Sequence, residues 1–195
     1  MLSLKKSLDI LKKTNALLEG HFVLSSGLHS SYYIQCAKLL SYPHLADSIC
    51  KSLAIKIKKN FGNFDLILSP AMGGIIIGYE IGKILKKETI FCERINGKFE
   101  LRRGFRINKN AKVLIIEDVI TTGKSSMECV SLIKKAKGKL VGFASIIDRS
   151  SKKNLKIKKK IVSHLKIKVP TYKKNNLPTH LKLLPITKPG SRFFK

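Results

Sequence analysis

The sequence is short of acidic residues, of arginine and of long apolar runs. Its 195 residues include 12 Asp and Glu against 39 Lys and Arg, which gives a formal net charge of +27. No apolar run approaches the roughly 20 residues that a transmembrane helix needs, so we expect no membrane partner. The first 20 residues show an amphipathic helical pattern and lack the apolar centre of a signal peptide.

Cysteine is sparse and scattered. Cys36, Cys50, Cys92 and Cys129 form no CxxC pair and no Cys/His cluster at metal-ligand spacing. We therefore predict that the protein itself provides no dedicated metal cage, and that most of these cysteines are small buried side chains. The pattern is typical of a reducing cytoplasm, which is the expected location.

The positive charge favours a polyanionic partner at first sight. However, only six of the 39 basic residues are Arg, although specific readers of bases and phosphates rely on the two-pronged guanidinium. Residues 151–195 contain 14 Lys or Arg and no acid. A solvated lysine surface is the simpler interpretation of this charge, so nucleic acid is not the expected partner.

The chain length predicts one domain, residues 1–195, and apolar periodicity predicts that it is of the α/β class. An N-terminal helix is expected over residues 3–19, ending at Gly20. Strands that are apolar on both faces alternate with helices, a pattern that predicts a central parallel sheet flanked by helices. The predicted strands are 22–24, 32–36, 65–68, 89–92, 112–116 and 140–147, with a hairpin arm over 98–107; further helices are expected over 43–60, 75–87 and 126–137.

The segment VLIIEDVITTGKS, residues 113–125, carries the strongest chemical signal. A buried strand delivers Glu117 and Asp118 to its carboxyl end, the edge at which open α/β sheets bind ligands. The following loop of small and hydroxyl residues precedes a helix N-terminus, which together predict an anion site. Carboxylates would repel a plain phosphate, so we expect a ligand that also offers hydroxyls, such as a ribose 5-phosphate unit.

Two other interpretations of this segment fit it less well. Gly123-Lys124-Ser125 suggests a P-loop, but that motif needs glycine at position 118, which is Asp. An ordinary strand-to-helix turn, with Asp118 near a helix cap, would require the acid pair, both Thr, the Gly and the Ser to coincide by chance.

EDVITTGKS closely resembles the signature with which type I phosphoribosyltransferases bind phosphoribosyl pyrophosphate (PRPP). HFVLSSGLHSSYYIQ, SPAMGGIIIGYE, ERINGKFELRRGF and the terminal KPGSR are similar to segments of the branch that uses orotate, so the resemblance spans about residues 20–192. It implies the type I phosphoribosyltransferase fold, with a helix and small N-terminal hood in residues 1–40 and a C-terminal strand and irregular tail in residues 160–195. It also implies that PRPP and orotate give orotidine 5-monophosphate and pyrophosphate, in pyrimidine biosynthesis.

The resemblance implies roles for individual residues. In the family, the acid pair holds the ribose and the loop holds the 5-phosphate. The PRPP-binding set expected here is Glu117, Asp118, Val119, Ile120, Thr121, Thr122, Gly123, Lys124 and Ser125, with Asp118 also catalytic. The pyrophosphate loop corresponds to Ala71, Met72, Gly73 and Gly74, and orotate is expected to contact Thr121, Arg149, Ser26 and Tyr33.

Four of the six Arg lie between residues 94 and 106. The family has a mobile basic loop here, which closes over pyrophosphate from the neighbouring subunit and implies a homodimer with a shared active site. Arg94 and Lys98 are expected to be catalytic, and Arg102 and Arg103 to belong to the basic loop. The longer loop of other branches is absent, so which residue is the catalytic lysine stays open. Mg²⁺ is the expected cofactor, held mainly through PRPP.

Two alternative functions remain. A phosphoribosyltransferase for a purine base would keep residues 117–125 but leave the N-terminal segment and Arg149 unexplained. A PRPP-sensing regulator that binds nucleic acid would explain the basic C-terminal residues, but the sequence contains no helix-turn-helix or other reading module.

Overall fold

Two β-sheets form the framework of the computed structural model, which describes residues 1–24, 26–151 and 154–189. The central sheet contains β3 (Leu66–Pro70), β4 (Glu88–Ile95), β5 (Lys98–Leu101), β6 (Lys112–Ile120), β7 (Lys139–Asp148) and β8 (Ile161–Lys166). Their order is β5-β4-β3-β6-β7-β8, and all neighbours are parallel except β4 and β5. The predicted parallel sheet is confirmed, with one antiparallel hairpin at its edge.

Helices cover both faces of the central sheet, as predicted. The helices are α1 (Leu4–Lys13), α2 (Cys36–Leu40), α3 (Pro43–Phe61), α4 (Gly73–Leu85), α5 (Lys124–Lys135) and α6 (Thr179–Lys182). Alternate residues of β6 point to opposite faces: Leu114 and Ile116 join the core formed with α3 and α4, whereas Val113 and Ile115 join the core formed with α5. Both faces of β6 are therefore buried in apolar surroundings, which explains its unbroken apolar run.

The hood is a second, four-stranded sheet. It consists of β1 (Leu17–Val23), β2 (His29–Ile34), β9 (Thr171–Tyr172) and β10 (Ile186–Thr187), in the order β10-β1-β2-β9. Both edge strands come from the C-terminal residues that the sequence predicted to be irregular, so that prediction is wrong for β9 and β10. Their pairing with β1 and β2 is long-range and leaves no local periodicity. Gly190 to Arg192 of the KPGSR segment lie outside the described residues.

The N-terminal helix is shorter than predicted. α1 ends at Lys13, and Leu17 and Leu18 belong to β1, where they pair with Ile34 and Tyr33 of β2. The Thr14 hydroxyl donates to the Ile10 carbonyl at 2.8 Å, and Asn15 takes a positive φ of 54° that turns the chain out of the helix. The positions of Leu17 and Leu18 are compatible with the end of a helix or with a strand, and pairing with β2 places them in the strand.

The strand that carries the acid pair is longer than predicted. β6 continues to Ile120 and so includes Glu117 and Asp118, whereas the predicted strand ended at residue 116 and delivered the acid pair at its carboxyl end. Pairing with β7 extends the strand, since Ile120 lies opposite Asp148. The remaining predicted elements are present with ends shifted by a few residues, and α2 and α6 are additional short helices. No helix within the described ranges is long and apolar enough to cross a membrane.

Candidate active site

A small cavity of about 150 Å³ lies where β6 passes into α5. Its lining runs from Glu117 and Val119 through the loop to Ser126. Unpaired backbone N–H groups at the start of a helix attract anions, and α5 begins at Lys124, directly behind this loop. Most residues of the predicted phosphate site therefore line one cavity in front of a helix N-terminus.

Gly123 gives the loop its shape. Its φ is +72°, and a Cβ atom at this position would lie 2.7 Å from the Ile157 side chain. The Lys156 backbone N–H donates to the Thr122 carbonyl at 2.9 Å. Residues far along the sequence therefore support the loop from behind, whereas the Lys124 side chain is exposed.

Glu117 and Asp118 occupy different environments. Glu117 is buried and its Oε1 accepts a hydrogen bond from the Ser126 hydroxyl at 2.7 Å. Burial raises the pKa of Glu117 to about 7, and the Ser126 hydrogen bond opposes this shift. Burial also raises the pKa of Asp118, whose Oδ1 accepts from the Val119 N–H at 2.8 Å. Ser126 is not among the site residues predicted from the sequence, because only the turn of α5 brings it back beneath Glu117.

The predicted pyrophosphate loop lies directly against the acid pair. A Cβ atom on Gly73 would come within 2.7 Å of the Asp118 carboxylate, and one on Gly74 within 3.1 Å of the Ile116 carbonyl. The absence of side chains at both positions allows this approach. Met72, by contrast, is 83% exposed. Two segments some 45 residues apart thus meet at the carboxyl edge of the sheet.

Arg149, Thr121 and Tyr33 converge at the end of β7. The Arg149 N–H donates to the Ile120 carbonyl at 2.9 Å, which places Arg149 beside Thr121. Burial lowers the pKa of Arg149, and the neighbouring Tyr33 opposes that shift. Ser26 lies apart from this group: it is exposed in the turn between β1 and β2, and none of the hydrogen bonds among the described residues joins its side chain to Arg149 or Thr121.

The basic residues of the β4–β5 hairpin engage partners in their own chain. Arg94 pairs with Glu128 of α5 at 2.8 Å, donates to the Gly97 carbonyl, and lies over the Phe99 ring with 4.2 Å from guanidinium carbon to ring centroid. Arg103 binds both carboxylate oxygens of Glu93, at 2.7 and 3.0 Å. Lys98 and Arg102 are exposed, and none of these four cations lines the 150 Å³ cavity.

The parallel sheet with helices on both faces agrees with the comparison with known families. The phosphoribosyl transferase domain matches residues 40–182. The chain therefore belongs to the phosphoribosyltransferase family, and its fold is that of the type I members. Among solved structures, the fold resembles an orotate phosphoribosyltransferase from Aeropyrum pernix, with a TM-score of 0.69 and 22% identity over 82% of this chain and 93% of that one.

The fold does not select the base, because it also resembles an adenine phosphoribosyltransferase from Thermoanaerobacter pseudethanolicus, with a TM-score of 0.59 and 16% identity over 70% of this chain and 88% of that one. Similarity in sequence distinguishes between the two bases better than similarity in fold. An orotate phosphoribosyltransferase from Erythrobacter litoralis is 45% identical over 93% of this chain and 94% of that protein, and one from Caldicellulosiruptor saccharolyticus is 44% identical over 96% and 97%. Within its family, the chain thus belongs to the orotate phosphoribosyltransferases, which are transferase enzymes.

Proposed function

We propose that the cleft at the carboxyl edge of β3, β6 and β7 transfers ribose 5-phosphate from PRPP to orotate. The bond between the anomeric carbon and pyrophosphate breaks, and pyrophosphate leaves with the electron pair. A bond from the anomeric carbon to a ring nitrogen of orotate forms, and that nitrogen loses its proton to solvent. The products are orotidine 5-monophosphate and pyrophosphate.

The observation that carries this proposal is the joining of two carboxylates to an anion cavity at one strand-to-helix junction. In this proposal the backbone amides of residues 121–125, in the loop and the first turn of α5, face the 5-phosphate, and Glu117 and Asp118 accept hydrogen bonds from the ribose hydroxyls. A ribose 5-phosphate unit satisfies both halves of the site. Because charge builds on the leaving pyrophosphate, positioning and electrostatic stabilisation are the main tasks of the enzyme.

Orotate and pyrophosphate occupy opposite sides of the acid pair in this proposal. Arg149 grips the orotate carboxylate with its planar guanidinium, and Thr121, Tyr33 and Ser26 complete the base site. Ala71 to Gly74 hold pyrophosphate through their backbone. Arg94 and Lys98 act on its charge, with Arg102 and Arg103 nearby on the same hairpin, once Arg94 leaves Glu128.

Mg²⁺ suits this donor set. The described residues contain no group of three or more His, Cys, Asp or Glu side chains arranged to hold a metal ion, whereas Glu117 and Asp118 present hard carboxylate oxygens beside the PRPP position. Mg²⁺ commonly takes one or two carboxylates, water and substrate phosphates, and when bound it neutralises phosphate charge. We also propose the cytoplasm as the location, which suits the four free cysteines.

A second copy of the chain is the proposed partner. Met72, Ile76 and Tyr79 form an apolar stripe on α4, with 83%, 50% and 63% of their surface exposed. They are spaced four and three residues apart and so share one helix face. A subunit that covers this stripe would sit beside the pyrophosphate loop, where the partner's basic hairpin could reach the site.

The activity test follows the loss of orotate absorbance with PRPP and Mg²⁺. We expect turnover of orotate and none of adenine or guanine. Asp118→Asn should reduce kcat/KM for PRPP by about 10- to 100-fold, the value of one charged hydrogen bond, and Arg149→Ala should affect orotate more than PRPP. Turnover of a purine base without orotate turnover would replace this proposal with the purine enzyme, and full activity in both variants would refute the site.

A further inference from the structure

A larger cleft lies apart from the 150 Å³ phosphate cavity, between the β4–β5 hairpin with its following segment and the outer face of α5; Lys98, which the proposed function places near pyrophosphate, lies on its rim. Its volume is about 690 Å³, within the range of about 300–1,000 Å³ typical of small-molecule pockets. It shares no lining residue with the 150 Å³ phosphate cavity. We call it the hairpin–helix cleft; it is lined by residues 98–101, 105–107, 132, 135 and 136.

The base of the hairpin–helix cleft is apolar and partly aromatic. Phe99 and Ile107 are 8% and 7% exposed, and Phe105, Leu132 and Ala136 are half-buried. The Phe105 ring is held edge-on by Phe91, with ring centroids 5.1 Å apart. The free energy falls when a planar apolar ring packs on such a surface and displaces water from it.

The rim of the cleft is positively charged. It carries the cations Lys98, Arg106 and Lys135 and the acid Glu100, all exposed. In the part of the chain that the structure describes, these four side chains take part in none of the salt bridges or hydrogen bonds. Three cations and one acid around an apolar base are complementary to an organic anion, and they would disfavour a cationic or purely apolar ligand.

The cleft adjoins the contact that holds Arg94. Glu128 lies one turn before Leu132 on α5, and Arg94 lies over the Phe99 ring. A ligand in the cleft would touch Phe99 and Leu132, the neighbours of the Arg94–Glu128 pair. It would add contacts between the hairpin and α5.

From these observations we propose that the hairpin–helix cleft is a second ligand site, which takes an organic anion with a planar apolar ring. Occupancy would fix the hairpin against α5 and thereby change how readily Arg94 reaches pyrophosphate. The binding itself does not depend on the proposed function; only its effect on PRPP use rests on that function.

The test is a fluorescence titration of the full chain with 1-anilinonaphthalene-8-sulfonate, an aromatic sulfonate that brightens in apolar surroundings. We expect saturable binding at one site per chain. Lys135→Glu and Ala136→Phe should each weaken it about tenfold or more, since the first reverses a rim charge and the second fills the base. Lys134→Glu is the matched control, with the same charge change at the neighbouring exposed position outside the cleft, and should bind like the parent.

PRPP then separates a second site from the active site. With PRPP added, the apparent dissociation constant of the dye should level off at a finite change, as coupling between distinct sites requires. A dissociation constant that rises in proportion to PRPP would show competition at one site and overturn the proposal. Equal dye affinity in Lys135→Glu, Ala136→Phe and the control would also overturn it, by showing binding elsewhere on the surface. Dye binding as expected without orotate turnover would leave this proposal standing and contradict only the proposed function.

Discussion

At the scale of single residues, the acid pair shows why neighbouring carboxylates need not behave alike. Glu117 is buried behind the phosphate loop and depends on Ser126 for its one described hydrogen bond. Asp118 faces the predicted pyrophosphate loop and accepts a hydrogen bond from the N–H of Val119. Since burial raises the pKa of both groups, the charge of this site depends on the hydrogen bonds that each acid receives.

Replacing Ser126 should move the pH dependence of PRPP use. The pKa of Glu117 is raised to about 7, so kcat/KM for PRPP should fall as the pH drops through that value and the carboxylate takes a proton. Ser126→Ala removes a hydrogen bond that favours the charged form, and the acid limb should move up by about one pH unit. The measurement is kcat/KM for PRPP between pH 5 and 9.

Ser131→Ala serves as the control for this profile, because Ser131 is an exposed serine on the same helix. An acid limb that shifts equally in both variants, or in neither, would contradict a positioning role for Ser126. Loss of activity without a change in the profile would point instead to a structural role.

At the scale of elements, sequence patterns indicate helices and strands well where the core contacts are periodic. The apolar residues of β6 and the helical pattern of α3 both lie in the core and were predicted. The patterns were misleading at Leu17 and Leu18, where pairing with β2 outweighed helical spacing, and at β9 and β10, which have two residues each. Such short strands exist only because a longer strand is already beside them.

The exposed face of α4 gives an element-scale prediction. Tyr79→Lys places a charge in the Met72–Ile76–Tyr79 stripe, so a dimer that covers this face should dissociate, since an unpaired charge is costly to bury. Light scattering during size-exclusion chromatography should then show a monomer mass. Loss of orotate turnover should accompany it if the partner's hairpin completes the site.

Leu183→Lys provides the comparison, because Leu183 is 80% exposed and lies far from α4 in the sequence, next to α6. It should leave both mass and activity unchanged. A Tyr79→Lys protein with the parent's mass would mean that α4 does not form the subunit interface.

At the scale of the whole molecule, a buried polar contact joins the first helix to the last strand of the central sheet. Ser7 of α1 and His164 of β8 are both buried, with 2.8 Å between Oγ and Nε2. Burial is the main cause that lowers the pKa of His164, to about 4, and the nearby Lys56 adds to it. The last strand of the central sheet and the first helix therefore pack best while this imidazole is neutral.

Stability should fall in mild acid through this histidine. The folded pKa of about 4 lies below the ordinary 6.5, so the unfolded chain binds more protons between these values. Above pH 6.5 this histidine does not reduce stability. As the pH falls toward 4, protonation of the unfolded chain lowers the free energy of unfolding by up to roughly 3 kcal/mol, at about 1.4 kcal/mol per pKa unit. Urea unfolding at pH 7.5 and 4.5 measures the difference.

His164→Gln should flatten this dependence, whereas His44→Gln, a change at an exposed histidine on α3, should keep it. The same slope in the parent and in His164→Gln would show that other groups cause the acid loss.

The structure explains only a small part of the net charge of +27. Two of the scarce arginines, Arg94 and Arg103, pair with Glu128 and Glu93, and Arg149 is the proposed contact of orotate. Most lysines between 156 and 182 are exposed on and between the last short elements. This distribution agrees with the interpretation of a solvated lysine surface.

The amino-acid sequence alone was enough to predict the α/β class, the strand-to-helix position of the candidate phosphate loop and the residues of the acid pair. These features are contiguous in the chain, so local periodicity and a short motif suffice to reveal them. Only the tertiary structure placed Ser126 under Glu117, set Gly73 against Asp118 and brought Tyr33 of the hood to Arg149. It also opened the hairpin–helix cleft, because contacts between distant segments depend on how strands pair and helices pack, and no local pattern records that choice.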